Sequence, residues 1–94
     1  MFDRLIVYHV ISITDFLDCL KKGHLPAPVR AWETIDEAER FSIQTGRAMI
    51  LRLKIPKNTP KLYGHRNKAR VLDRDYPLYI TFNGFSYKDW YGKS

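Results

Sequence analysis

The sequence predicts an α+β fold: a small single domain in which two N-terminal helices pack on a mainly antiparallel sheet. Three observations carry that expectation. Two early segments repeat apolar residues at helical spacing between a hydroxyl N-cap and a glycine stop. The later chain alternates apolar and polar residues or carries turn signals. Finally, 94 residues suffice for one hydrophobic core and are too few for two, so residues 1–94 are expected to form a single domain.

Arg4 to Ile11, rich in β-branched and apolar residues and free of Gly and Pro, reads as a buried strand. Ile13, Phe16, Leu17 and Leu20 then recur with helical period. Ser12 and Thr14 are N-cap candidates, and Gly23 follows Lys21 and Lys22 as a stop. Pro26 and Pro28 predict an extended connection, and Val29 to Glu33 a short strand. Thr34 and Glu37 have capping-box spacing for a second helix, whose apolar face is Ile35, Ala38 and Phe41 and which closes at Gly46.

Residues 47 to 55 alternate, with Met49, Leu51, Leu53 and Ile55 on a buried face and Ile50, Arg52 and Lys54 on a largely solvated one. Pro56, Asn58, Pro60 and Gly64 make residues 56–68 a long basic loop. Ala69 to Leu72 and Leu78 to Phe82 are further strands. Asn83 and Gly84 signal a two-residue hairpin turn, with Phe85 to Tyr91 returning.

Charge is segregated along the chain. Between Arg52 and Arg74 eight Lys/Arg stand against Asp73 alone, a net +7, while the rest carries −1 of the overall +6. The interleaved Tyr63, His65 and Asn67 suit phosphate contact combined with stacking, so nucleic acid is the expected partner, RNA favoured. The candidate contacts are Arg52, Lys54, Lys57, Lys61, Tyr63, Arg66, Lys68, Arg70 and Arg74. An acidic protein surface would attract the same cations, which leaves a small inhibitor or adaptor as an alternative.

Cys19 has no second cysteine to bridge to, and no apolar run approaches the length of a membrane span. Leu5 to Val10 is too short for the centre of a signal peptide. Cytoplasmic residence without membrane contact is the resulting expectation. His9, His24 and His65 with one cysteine show no recognised metal-ligand spacing, so no metal is expected.

The run V-Y-H-V-I-S-I-T-D-F-L-D-C-L-K-K-G-H-L at 7–25, then A-W-E-T-I-D-E-A-E-R-F at 31–41 and R-A-M-I-L-R-L-K-I-P at 47–56, resembles the ADP-ribosyltransferase superfamily. The similarity includes its tRNA 2′-phosphotransferase-like branch, and P-L-Y-I-T at 77–81 is a weaker echo. The resemblance implies an NAD pocket in which His9 hydrogen-bonds the nicotinamide ribose and Trp32 stands against the nicotinamide. Most members also place a glutamate on a late strand. Here none occurs after Glu39, and only Asp73, Asp75 and Asp89 remain as later acids.

The resemblance therefore implies a minimal, degenerate member that acts by binding and needs no cofactor to do so. The alternative it implies is an active NAD-dependent ADP-ribosyltransferase or phosphotransferase working on nucleic acid or protein. In that alternative His9 and Trp32 would be catalytic, and Arg47, Arg52, Arg66 and Arg70 would be candidates to face a phosphate.

Overall fold

A computed structural model describes residues 4–62 and 68–78, together with the backbone of 80–81, 84–85 and 90–92. Strand β1 (Arg4–Ile11) leads through helix α1 (Ile13–Lys22) and the two-residue β2 (His24–Leu25) to β3 (Val29–Trp32). Helix α2 (Ile35–Thr45) and β4 (Met49–Pro56) follow. After them come β5 (Ala69–Leu72), β6 (Tyr76–Pro77), β7 (Ile80–Thr81), β8 (Gly84–Phe85) and β9 (Trp90–Gly92). The main sheet has the order β5-β3-β1-β4-β9, and every described pairing in it is antiparallel.

The β1–β4 ladder runs unbroken from Arg4 opposite Pro56 to Ile11 opposite Met49. Because successive side chains alternate across a strand, this register sorts the chain into two layers. On one face Val7, Ile11, Leu51, Leu53 and Ile55 form the larger core, closed by Phe16 and Cys19 of α1 and by Leu25, Val29 and Leu72. On the other, Val10 and Ile50 lie beneath Ala38 of α2, ringed by Tyr8, Trp32, Ile35 and Phe41. The helices thus cover opposite faces. Burying each such aliphatic side chain is worth about 1.5–3 kcal/mol before chain entropy is counted.

Local chemistry sets the helix boundaries. Ser12 Oγ accepts from Asp15 N at 3.1 Å and Thr34 Oγ1 from Glu37 N at 3.3 Å. Gly23 (φ 85°) and Gly46 (φ 73°) adopt the left-handed conformation and donate back to Cys19 O and Ser42 O. The two prolines do not simply extend the chain between Leu25 and Val29: the Ala27–Pro28 peptide is cis.

Several expectations need correction. Ile50, assigned to a solvated face, is wholly buried because α2 covers the first half of β4 on that side, whereas Lys54 beyond it is exposed. Residues 56–68 are not one open loop. Lys61 bridges to Arg70, Leu62 N donates to Ala69 O, and Val71 N donates to Pro60 O, which binds 60–62 along the outer edge of β5.

Strands β7 and β8 pair as a hairpin, but Gly84 pairs with Thr81 and so belongs to a strand and not to the turn, while Phe82 and Asn83 fall outside the described residues. Of the returning strand expected over Phe85 to Tyr91, β8 pairs with β7 and β9 pairs with β4, and the residues between them, 86–89, lie outside the described residues. Leu78 belongs with a crossing that the sequence did not signal. There Leu78 N donates to Gly23 O, and β6 pairs with β2.

Candidate nucleic-acid interface and adjoining cleft

The basic segment divides by position. Arg52 and Lys54 point to the same sheet face as Ile6 and Tyr8, their partners across β1. Arg52 is half-buried and Lys54 exposed, and Arg4, two residues before Ile6, is also exposed. Lys57, Lys61 and Lys68 are exposed around the end and edge of the sheet, and Arg74 is exposed beyond β5. Tyr63 and Arg66, with His65 and Asn67, lie outside the described residues.

Arg70 has a different part from the phosphate contact expected of it. Its Nε donates to Glu33 Oε2 at 2.6 Å, and Nη1 donates to the carbonyls of Lys57 and Thr59, both at 2.9 Å. Both side chains of the ion pair are largely buried. Thr59 is buried as well, with Oγ1 donating to Pro56 O at 2.6 Å. The guanidinium fork is therefore committed to holding residues 57–59 against β5, which fixes where Lys57 and Lys61 emerge.

Along the strand registers, Arg52 faces Tyr8, Tyr8 faces Trp32, and Trp32 faces Ala69. These four residues form one row across β4, β1, β3 and β5 on a single face, because directly opposed residues in antiparallel strands share a side. Tyr8 and Trp32 are each half-buried. Helix α2 covers the neighbouring row at Val10 and Ile50, and Phe41 meets Trp32 with ring centroids 5.7 Å apart at 52°.

Trp32 also lines a cleft of 470 Å³ whose walls include His9, Arg30, Phe41, Arg47, Leu62 and Ala69. The fold thus brings together the two residues singled out for an NAD pocket, His9 and Trp32. It adds Arg30 and Arg47, with Arg47 Cζ 5.6 Å above the Phe41 ring. His9 Nδ1 donates to Arg30 O at 2.6 Å, which leaves Nε2 as the acceptor of a neutral imidazole. Burial lowers the His9 pKa from its ordinary value and the Arg47 charge lowers it further, against the raising effect of the carbonyl bond.

A second cleft, of 330 Å³, shares His9, Val10 and Arg47 and adds Ser12, Asp15, Asp18 and Lys22 from the start and outer side of α1. Cys19 also reaches it. That thiol is buried in the core and its pKa is raised chiefly by desolvation, as befits a packing residue.

Ring faces and two cations suit the nicotinamide and phosphates of a dinucleotide, and the volume is within the range of ligand pockets. Val10 and Ile11, bulky residues beside His9, are themselves mostly buried in the two cores. No carboxylate lines the larger cleft among the described residues. Of the arginines considered for a phosphate, Arg47 lines the cleft, Arg52 stands on the sheet face, Arg70 is tied to Glu33, and Arg66 is outside the described residues.

Sequence reasoning passed over Tyr8, Arg30 and Phe41. Tyr8 was legible as the residue before His9 on the opposite face of the strand, but the other two reach the site only through pairing and helix packing. Among the described residues no group of three or more His, Cys, Asp or Glu could hold a metal ion, and no helix is long and apolar enough to cross a membrane. Comparison with protein-family models, curated proteins and solved structures finds no match.

Proposed function

We propose that this protein is a nucleic-acid-binding module, with RNA favoured, on an ADP-ribosyltransferase-like fold that has lost its catalytic acid. The observation that carries the reading is the presentation of the basic segment. The Arg70–Glu33 clip anchors residues 57–59, and Lys54, Lys57, Lys61, Lys68 and Arg74 stay exposed, with Arg52 half-exposed beside them. Cations held by a rigid edge lose less entropy on meeting a polyanion than cations on a floppy tail.

The test is a fluorescence-anisotropy titration of a short single-stranded RNA at two salt concentrations, repeated with NAD as competitor. With six such cations the slope of log K against log salt should approach about −4. Binding should be indifferent to NAD. Absence of RNA and DNA binding at low salt rejects the proposal, whereas affinity for an acidic protein without the steep salt slope would point to the adaptor alternative.

A second reading, an active NAD-dependent transferase, is favoured by one observation: His9, Trp32 and Arg47 share the 470 Å³ cleft. His9 Nε2 would accept from a ribose hydroxyl, Trp32 would lie along the nicotinamide, and Arg47 would meet a phosphate. NAD would supply the ADP-ribosyl group to be transferred, with nicotinamide as the leaving group. Among the described residues no carboxylate lines that cleft to orient an acceptor, which is why binding is the leading reading. Quenching of tryptophan emission by NAD, together with transfer of label from labelled NAD, would reverse that order.

A further inference from the structure

We infer that the row Arg52–Tyr8–Trp32 is a stacking platform for single-stranded nucleic acid, taking unpaired bases on its two aromatic side chains and phosphates on the cations beside them. The inference rests on the nucleic-acid reading above and narrows it to a ligand class and a place. Tyr8 and Trp32 are direct cross-strand partners, so their side chains stand on neighbouring strands of one face. Helix α2 covers the row containing Val10 and Ile50 and leaves the next row half-open.

Trp32 borders a 470 Å³ cleft, which gives a base room beside its ring. Arg52 is opposite Tyr8, Lys54 is opposite Ile6, and Ile6 itself is 39% exposed between Arg4 and Tyr8. Aromatic rings at strand spacing with cations alongside match the chemistry of a single strand, whose base faces are free and whose phosphates run beside them. A duplex presents its base faces only to one another, so the aromatic row would add nothing to its binding. The electrostatic match supports the same occupant, since the cations of this face would neutralise a phosphate chain.

The experiment uses the unaltered protein and three probes at one salt concentration: a single-stranded RNA of about ten nucleotides, the same strand annealed to its complement, and the strand with two interior abasic sites. Stacking worth 1–3 kcal/mol per base translates into about a tenfold or greater preference for the intact single strand over both others. The slope of log K against log salt should be the same for the intact and abasic strands. Tyr8→Leu, checked for folding by far-UV circular dichroism, should weaken the single strand about tenfold, and Tyr8→Phe should keep its affinity.

Equal affinity for all three probes with a steep salt slope would overturn the platform and leave the nucleic-acid reading standing. Absence of binding by all three probes would remove that reading and the platform with it.

Discussion

His9 is the side chain whose protonation the fold controls most directly. Its Nδ1–H is held by Arg30 O, its ring is largely buried, and Arg47 adds positive potential, so the folded protein favours the neutral form. A base whose pKa is lower folded than unfolded binds more protons when unfolded, so its contribution to stability is complete above the unfolded value of about 6.5. That contribution is lost as pH falls from there through the lowered folded value. The slope from this one group cannot exceed about 1.4 kcal/mol per pH unit. His9→Asn, whose amide can still donate to Arg30 O, should flatten the dependence, measured as urea midpoints at pH 7.5, 6 and 5. Identical pH profiles for the two proteins would mean that His9 is not the titrating group. Composition marks His9 as notable, but the bond to a residue 21 positions away exists only once β1 and β3 lie side by side.

Segments whose signals are local were readable in advance, and those held by distant partners were not. Both helices begin and end where their caps dictate, because Ser12, Thr34, Gly23 and Gly46 act within one turn of the residues they cap. Gly46→Ala should cost about 1 kcal/mol although nothing lies within 4 Å of the added Cβ, since φ 73° is strained for a side chain whatever the space. A thermal melt at unchanged pH measures it, and an unchanged midpoint would refute the strain account. The order around residues 57–62 has no local signal, because it depends on Arg70 and Glu33, 37 residues apart. Removing the fork leaves a largely buried carboxylate and two carbonyls without that donor, so Arg70→Ala should destabilise by about 2–4 kcal/mol. Arg70→Lys should not restore the loss, because an ammonium cannot reproduce the fork. Full recovery by lysine in a urea titration would show that charge alone is the requirement. The two-residue strands β2 and β6 are too short for any periodicity, and Ile50 looks solvent-facing until α2 is placed over it.

Across the molecule the segregation of charge has a spatial counterpart that the sequence could only suggest. Clustering of eight cations between residues 52 and 74 is legible by counting, but which of them face outward is decided by strand register and by the Arg70 clip. Lys57, Lys61 and Lys68 are exposed at one end and edge of the sheet, and none of them lies in the Arg52–Tyr8–Trp32 row. Their contribution should therefore be electrostatic and indifferent to whether a base is present, unlike that of Tyr8. Neutralising all three as Lys57→Gln, Lys61→Gln and Lys68→Gln removes up to three phosphate contacts from a single strand. The slope of log K against log salt should then become shallower by about 2, with the loss of affinity uniform across RNA sequences. The preference for intact over abasic strands should survive, because the bases still meet the aromatic row. Anisotropy titrations of both proteins over four salt concentrations, on a pyrimidine-rich and a purine-rich strand, separate the two contributions. An unchanged slope would show that these three lysines do not contact the phosphates, and a loss confined to one strand would show that they read sequence.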